Sequence, residues 1–405
     1  MPEIKPDIET VAKIKVVGVG GSGGSTLSRM IRSKVRGVEF IAINTDVQAL
    51  HHVQASTRIH IGKTITRGLG AGMNPEMGRR AADENQNDIR DALKGADMVF
   101  ITCGLGGGTG TGAGPKVAEL AREVGALTIA VVTKPFAFEG NQRRQIAEKG
   151  HAEFAEFVDT VVTIPNDRVL QIIDKKTSLV DAFDTVDDVL RQAVQGISDI
   201  ITIPGLINVD FADVKAVMEN TGSALMGIGR GTGENRAVEA AKAAIASPLL
   251  ELSIDGARGV IFTITGGSSL TMHEVAEAAK IITGSADSEA KVIFGSVIDE
   301  AMKDEVKITV VATGFDNRER NRPASQVSAV GVASAVKPVQ NAVTSNGMPS
   351  FANKVKESVR MVEKKPKMVE VPEETIIVSG PQKQPTPELI EDELEIPAFI
   401  RKKMG

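Results

Sequence analysis

The sequence predicts an α/β protein built on a parallel sheet covered on both faces, with a long helix leading into a smaller α/β or α+β unit. Three observations carry this. Short apolar runs that are nearly continuous, rather than alternating, recur between helical stretches, the pattern of strands buried on both faces. Two of these runs lead into glycine-rich loops followed by helical sequence. A long segment, Leu179–Thr202, keeps apolar residues at Val180, Phe183, Val186, Leu190, Val194, Ile197 and Ile201, on helical spacing.

In chain order, Ile14–Val19 reads as a strand, then a glycine loop and a helix through Leu27–Ile31. Glu39–Asn44 is a second strand and Asp97–Thr102 a third, followed by a second glycine loop and the helix Lys116–Val124. Ala126–Thr133 and Thr160–Ile164 continue the sheet. The helix Leu179–Thr202, at about 1.5 Å per residue, spans roughly 36 Å and can cross a domain. After Pro204–Gly205 come the strands Val260–Thr265, Lys291–Val297 and Lys307–Thr313, with the helix Met272–Thr283 between the first two. Ligands of such sheets bind at the carboxyl ends of the strands.

Composition bounds the function. A length of 405 residues suggests two or three domains at about 150 residues each. The net charge of −5 excludes a broadly basic nucleic-acid binder, and the absence of Trp and Tyr weakens any single-strand stacking platform. One cysteine, Cys103, excludes an intrachain disulfide and a Cys-based zinc cluster, and reads as a small buried hydrophobe. Five histidines without an HExxH pair argue against a catalytic zinc. Glu3, Lys5, Asp7 and Glu9 break any signal-peptide core, and no apolar run nears the roughly 20 residues needed to span a bilayer, so a soluble cytoplasmic protein is expected. The stretch 317–405 holds 4 of the 40 Gly but 9 of the 17 Pro, so glycine-rich folded sequence gives way there to a Pro-, Ser-, Lys- and Glu-rich segment that reads as a flexible linker.

The first loop, Gly18-Val-Gly20-Gly21-Ser22-Gly23-Gly24-Ser25, fits GxGxxG, with Asp46 at the end of the next strand. It suits a phosphate at a helix N-terminus, a dinucleotide site, or a tight turn alone. The second loop is the stronger signal. Gly104-Leu-Gly106-Gly107-Gly108-Thr109-Gly110-Thr111-Gly112 has six glycines in nine residues, more than a turn needs, and reads as an anion cradle of backbone N–H groups with two hydroxyls beside it. Gly62-Lys63-Thr64 imitates the end of a Walker A loop, but that motif requires glycine where Thr57 stands. Cationic help for phosphates must therefore come from elsewhere, with Arg143 the best candidate. Asp210 and Asp213 share one side of a helix start, and Asp210 reads equally as its N-cap.

These residues resemble a known family. GGGTGTG at 106–112 is similar to the nucleotide signature of the tubulin superfamily. Asn208-Val-Asp210-Phe-Ala-Asp213 resembles the loop that reaches the next subunit there. Asn44-Thr-Asp46, Gly70-Ala71-Gly72-Met-Asn-Pro75, Pro165-Asn-Asp167 and Gly222-Ser-Ala-Leu-Met-Gly-Ile-Gly229 follow in order. Together they resemble the FtsZ family of the tubulin/FtsZ GTPase superfamily over about 12–316, and again at Glu395-Ile396-Pro397-Ala-Phe399-Ile-Arg401. Ser22 and Ser25 depart from the family's usual Gly and Asn, which turns any amide contact from position 25 into a hydroxyl contact.

The resemblance implies a tubulin-like GTP-binding domain over 12–178, a central helix at 179–202 and a GTPase-activating domain over 203–316. It adds a linker at 317–387, a recognition peptide at 388–405 and an N-terminal extension at 1–11. Gly20–Ser25, Asn44, Gly70–Gly72 and Gly106–Gly112 would hold the phosphates, with Glu139 and Arg143 at the ribose and phosphates. Asn166 and Asp187 would read guanine under Phe183. The spacing alone leaves Phe183 open as a core residue, Asp187 as a solvated face and Glu139–Arg143 as a surface ion pair. Asp210, Asp213 and Asn208 would come from a neighbouring subunit and polarise the attacking water, with GTP as substrate, GDP as product and Mg²⁺ beside them. Ile396, Pro397, Phe399 and Arg401 would dock membrane-tethering and regulatory division proteins at the division site beneath the inner membrane, on a linker of about 70 residues reaching roughly 45 Å. An NAD-dependent oxidoreductase built on GxGxxG, and a filament protein that binds GTP without turnover, are the competing readings.

Overall fold

The computed structural model describes residues 12–315, apart from 172, 175, 203–208 and 249–253. Ten strands form one sheet: β1 (Ile14–Val19), β2 (Val38–Asn44), β3 (Thr57–His60), β4 (Met98–Gly104), β5 (Leu127–Lys134), β6 (Thr160–Pro165), β7 (Gly222–Thr232), β8 (Gly259–Gly266), β9 (Lys291–Ile298) and β10 (Glu305–Thr313). Their order is β3-β2-β1-β4-β5-β6-β7-β10-β8-β9. Every pairing is parallel except the two made by β10, which runs antiparallel to both β7 and β8.

The continuous apolar runs have the expected cause. Along β1, Ile14 and Val16 face one core while Val17 and Val19 face another. Met98 and Phe100 of β4 alternate in the same way with Val99, Ile101 and Cys103. Each face is then covered. Helices α1 (Gly20–Arg32), α2 (Val47–His52), α3 (Lys63–Thr66), α4 (Pro75–Glu84), α5 (Gln86–Leu93), α6 (Thr109–Glu123), α7 (Asn141–Phe157) and α8 (Asn166–Val169) fill the connections of the parallel half. Helix α9 (Leu179–Thr202) packs Val186, Leu190, Val194 and Ile197 into the core shared with α1. Helices α10 (Phe211–Met218), α11 (Arg236–Ile245) and α12 (Met272–Gly284) serve the antiparallel half, where Val306, Ile308 and Val310 alternate with Val311 between two cores.

Strand β7 lacks the apolar run that marks the others. Gly229 and Gly231 stand on the same face, where a Cβ on Gly229 would lie 1.9 Å from the Ala240 carbonyl oxygen and one on Gly231 2.0 Å from that of Arg236. Helix α11, with Ala237, Ala240, Ala241 and Ala244 buried, therefore rests backbone against backbone on the strand. The imitation Walker loop is resolved as well. Gly62 adopts left-handed φ to start a single turn of helix, and Thr64 donates its hydroxyl to Glu84. Residues 1–11, Asn208 and everything from 316 onward, with the linker and Ile396, Pro397, Phe399 and Arg401, lie outside the described residues.

Candidate functional site

The two glycine loops meet at the carboxyl ends of β1 and β4. Gly20 opens α1 with φ +77°, and a Cβ on it would lie 3.1 Å from the backbone nitrogen of Gly110. Beside a cavity of about 570 Å³ between the first loop and Phe183, Asp184 and Asp187 lie two others that share Ser22, Gly104 and Arg143. The first of these two, of about 360 Å³, is lined by Gly20, Gly21, Asn44, Gly70, Ala71 and Gly72, and by Gly107, Gly108, Thr109 and Gly110. The second, of about 290 Å³, is lined by Ser25, Glu139, Asn166, Phe183 and Asp187. Backbone N–H groups at the starts of two helices bound the first cavity, a setting that favours phosphate. The second cavity carries an aromatic face and polar edges, which suit a base.

The glycines divide into two kinds. A Cβ on Gly107, Gly21 or Gly72 would meet nothing within 4 Å, so these positions stay open for a close ligand. Gly108, Gly112 and Gly23 are small for another reason. A Cβ there would lie 2.4 Å from the Gly72 oxygen, 1.8 Å from the Pro75 oxygen and 2.5 Å from the Thr102 oxygen. Gly24 faces Val53, and Gly106 faces the Arg143 backbone at 2.9 Å. Much of the glycine excess thus serves backbone packing beneath the cup. The two hydroxyls are also spoken for: Thr111, buried, accepts the Gly106 N–H at 3.0 Å, and those of Thr109 and Thr45 are 2.6 Å apart. Asn44, buried, accepts the Asp46 N–H through Oδ1.

At the base end, Phe183 is 43% exposed although it lies on the apolar stripe of α9. Its ring meets Phe136 edge-on with centroids 5.5 Å apart, leaving a face open to the cavity. Phe183 is therefore not a core residue. Asn166 is buried at the start of α8, and its Oδ1 has no hydrogen-bond partner among the described residues. An orphaned buried acceptor beside a cavity calls for a donor from outside the protein. Asp187 is mostly buried, and burial pushes its carboxyl above the usual range against the opposing pull of Thr26 and Arg29. Arg143 pairs with Glu139 at 2.9 Å, and Glu139 accepts the Phe136 N–H.

Asp46, the residue a dinucleotide site would turn to the ribose, instead caps α2: its Oδ1 accepts the N–H groups of Gln48 and Ala49. Asp210, by contrast, occupies the N-cap position of α10 but makes no cap bond with its side chain; it and Asp213 are both exposed. The pair is remote from the cup. Thr202, the last residue of α9, packs on Gly37 just before the amino end of β2, whereas Phe183 and Asp187 in the first turns of α9 line the cavity at the carboxyl ends. At the far end of α10, the Met218 carbonyl accepts the hydroxyl of Thr160, the first residue of β6. The helix between cup and acidic pair has 24 residues, about 36 Å.

No trio of His, Cys, Asp and Glu among the described residues could hold a metal ion. Mg²⁺ accompanying a nucleotide is held largely by phosphate oxygens and water, and this chain offers it no cage of its own among those residues. Cys103 is buried with its thiol pushed up to about 12, which leaves it inert. Two residues that spacing did not single out, Thr26 and Arg29, hold Asp187. Their signal was positional: they lie one and four residues beyond Ser25 on the helix that the first loop opens.

Comparison with known proteins places the fold in a family. Residues 13–174 match the tubulin/FtsZ family GTPase domain, and residues 222–316 the FtsZ family C-terminal domain. An FtsZ dimer from M. jannaschii is 47% identical, covers 76% of this chain and 89% of its own, and superposes with a TM-score of 0.73. A tryptophan-to-tyrosine point mutant of FtsZ from the same organism is likewise 47% identical, with 76% and 93% covered and a TM-score of 0.74. CetZ1 from Haloferax volcanii, solved as a GDP-bound monomer, is 19% identical with 76% and 96% covered and a TM-score of 0.66, which shows a shared fold. With both parts of the described sheet matched and nearly half of the residues identical over most of an FtsZ chain, this chain belongs to the tubulin/FtsZ family, in its FtsZ branch, and is a GTPase.

Proposed function

We propose that this GTPase assembles head to tail into filaments that build the bacterial division ring, and that it hydrolyses GTP at the joint between two copies. One copy supplies the glycine cup; the next supplies Asp210 and Asp213, with Asn208 holding the loop between α9 and α10. The observation that carries this reading is the separation of cup and acidic pair to opposite ends of α9. The three carboxylates that line the two cavities sharing Arg143 each have a structural partner: Asp46 caps α2 through Oδ1, Glu139 pairs with Arg143 and Asp187 accepts from Thr26. Hydrolysis of a phosphoanhydride needs a group that orients water as well as donors that stabilise charge. Backbone N–H groups supply the donors, and an exposed acidic pair on a second copy supplies the rest. GTP enters with Mg²⁺, which neutralises phosphate charge. A head-to-tail contact of this kind need not close on itself and so yields filaments.

Phe183 covers the guanine, Asp187 accepts its two N–H donors, and the orphaned Asn166 Oδ1 accepts a further donor. The segment 12–178 then acts as the nucleotide domain and 203–316 as the activating domain of the neighbour. The tail peptide docks membrane-tethering and regulatory division proteins through Ile396, Pro397, Phe399 and Arg401, at the division site beneath the inner membrane; its likeness to the family peptide supports this. No helix among the described residues is long and apolar enough to cross a membrane.

Turnover per subunit is measured as protein concentration rises. A shared site gives almost none below a threshold and a steep onset above it, whereas a rate independent of concentration overturns the reading. Asp210→Ala is expected to keep GTP binding and lose turnover; normal hydrolysis by this variant removes the pair from the mechanism.

A further inference from the structure

The carboxylate assigned to the guanine edge is not a bare side chain. Thr26 Oγ1 is 2.7 Å from Asp187 Oδ1 and 3.0 Å from the Ser22 carbonyl oxygen, and its single proton favours the nearer, charged acceptor. Arg29 comes from the same face of α1. Its terminal nitrogen pairs with Asp184, one turn before Asp187, and its Nε lies 3.8 Å from Asp187 Oδ2. That Nε is buried with no hydrogen-bond partner among the described residues. Thr26 itself is fully buried. The hydroxyl occupies one lone pair of Oδ1 and the guanidinium stands beside Oδ2, so each oxygen keeps an acceptor site toward the cavity.

We propose that Thr26 and Arg29 are positioning residues that set the base specificity of the GTPase by holding Asp187 ionised and oriented with both oxygens open to the paired N–H donors of guanine. The inference rests on the reading of Asp187 as the guanine acceptor. Its physical need is plain. A carboxylate accepts two parallel N–H donors only when ionised; once protonated, one oxygen becomes a donor and faces the ligand's donor unfavourably. Burial drives Asp187 toward that protonated form, and Thr26 and Arg29 oppose it. Other charges face the same group. Arg32 of α1 also favours ionisation, and Asp184 of α9 opposes it. His52 of α2 and the Glu139–Arg143 pair line the adjoining cavity walls.

The test compares affinities of the full chain for GDP and for inosine diphosphate, which lacks the 2-amino donor, across pH. A ratio of two ligands on one preparation does not depend on how much of a variant is folded. The wild type is expected to prefer GDP and to lose that preference as pH falls through the titration of Asp187. Arg29→Gln should move the loss to higher pH, and Arg29→Lys should return it toward the wild-type position. Thr26→Val should cut the preference about tenfold, the worth of one charge-assisted hydrogen bond, while Thr26→Ser restores it. Asp187→Asn distinguishes the two levels. If it leaves the preference intact, the base-reading assignment fails and this inference with it. If it abolishes the preference while Thr26→Val and Arg29→Gln change neither the ratio nor its pH dependence, the positioning role alone is refuted.

Discussion

Residues of one type do unlike work in this protein, and substitution should separate them. Gly107 and Gly112 belong to the same nine-residue loop. A Cβ on Gly107 meets open space, and one on Gly112 lies 1.8 Å from the carbonyl oxygen of Pro75, the first residue of α4. Gly107→Ala is expected to unfold within about 0.5 kcal/mol of the wild type, the range of surface substitutions, and to weaken nucleotide binding. Gly112→Ala should cost more than about 2 kcal/mol, as overpacking against backbone does. Thermal unfolding and nucleotide titration of the two proteins read both effects. Phe183 and Leu190 make the same contrast on one helical stripe. Leu190 is fully buried, so Leu190→Ala should cost about 2–5 kcal/mol of stability. Phe183, with its open face, should cost little stability as Phe183→Ala but about tenfold in guanine-nucleotide affinity, from lost stacking of about 1–3 kcal/mol.

Elements are held by their ends as much as by their faces. Helix α12 begins with a capping box in which Thr271 accepts the Glu274 N–H and Glu274 accepts the Thr271 N–H. Glu274 also takes the guanidinium of Arg236 from α11 at 2.7 Å, which joins two helices of the antiparallel half. The Arg236 bond holds the Glu274 carboxyl down at about 2, below its ordinary value of 4.5. A folded-state value below the unfolded one contributes stability that is fully present above about pH 4.5 and is lost as pH falls toward 2. Glu274→Gln should therefore unfold at lower temperature than the wild type near pH 7, and the gap should close as pH approaches 2. A gap that persists unchanged at acid pH would mean that the bond acts through shape alone.

At the scale of the whole molecule, the cup and the acidic pair lie at opposite ends of α9, and under the proposed shared site a single copy would hold each half out of reach of its complement. A mixture follows from this. Asp210→Ala protein retains its cup, and a protein with a ruined cup retains its acidic pair. Mixing the two should restore turnover at joints where an intact pair meets an intact cup, measurable as phosphate release that neither variant gives alone. Removing 388–405, to which the proposed function gives a docking role alone, should leave that release unchanged.

The chain order of residues determined much of this protein. Two-faced strands follow from the apolar runs at Ile14–Val19, Met98–Cys103 and Leu127–Val132, since a strand that must be buried on both sides admits no polar alternation. The glycine loops after β1 and β4 were legible for the same kind of reason, as was the long helix. Strand β7 was not legible, because its spaced glycines answer to α11, a helix that follows it in the chain and meets it only in space. Nor could spacing tell a capping Asp46 from a ribose ligand, an exposed Phe183 from a core one, or a free Asp210 from a cap. Each of those depends on which atoms stand within hydrogen-bond or van der Waals distance. The contacts of Asp187 with Thr26 and Arg29 link positions some 160 residues apart. Local pattern carries propensity and periodicity; only packing sets the partners of a side chain, and here the partners decide its chemistry.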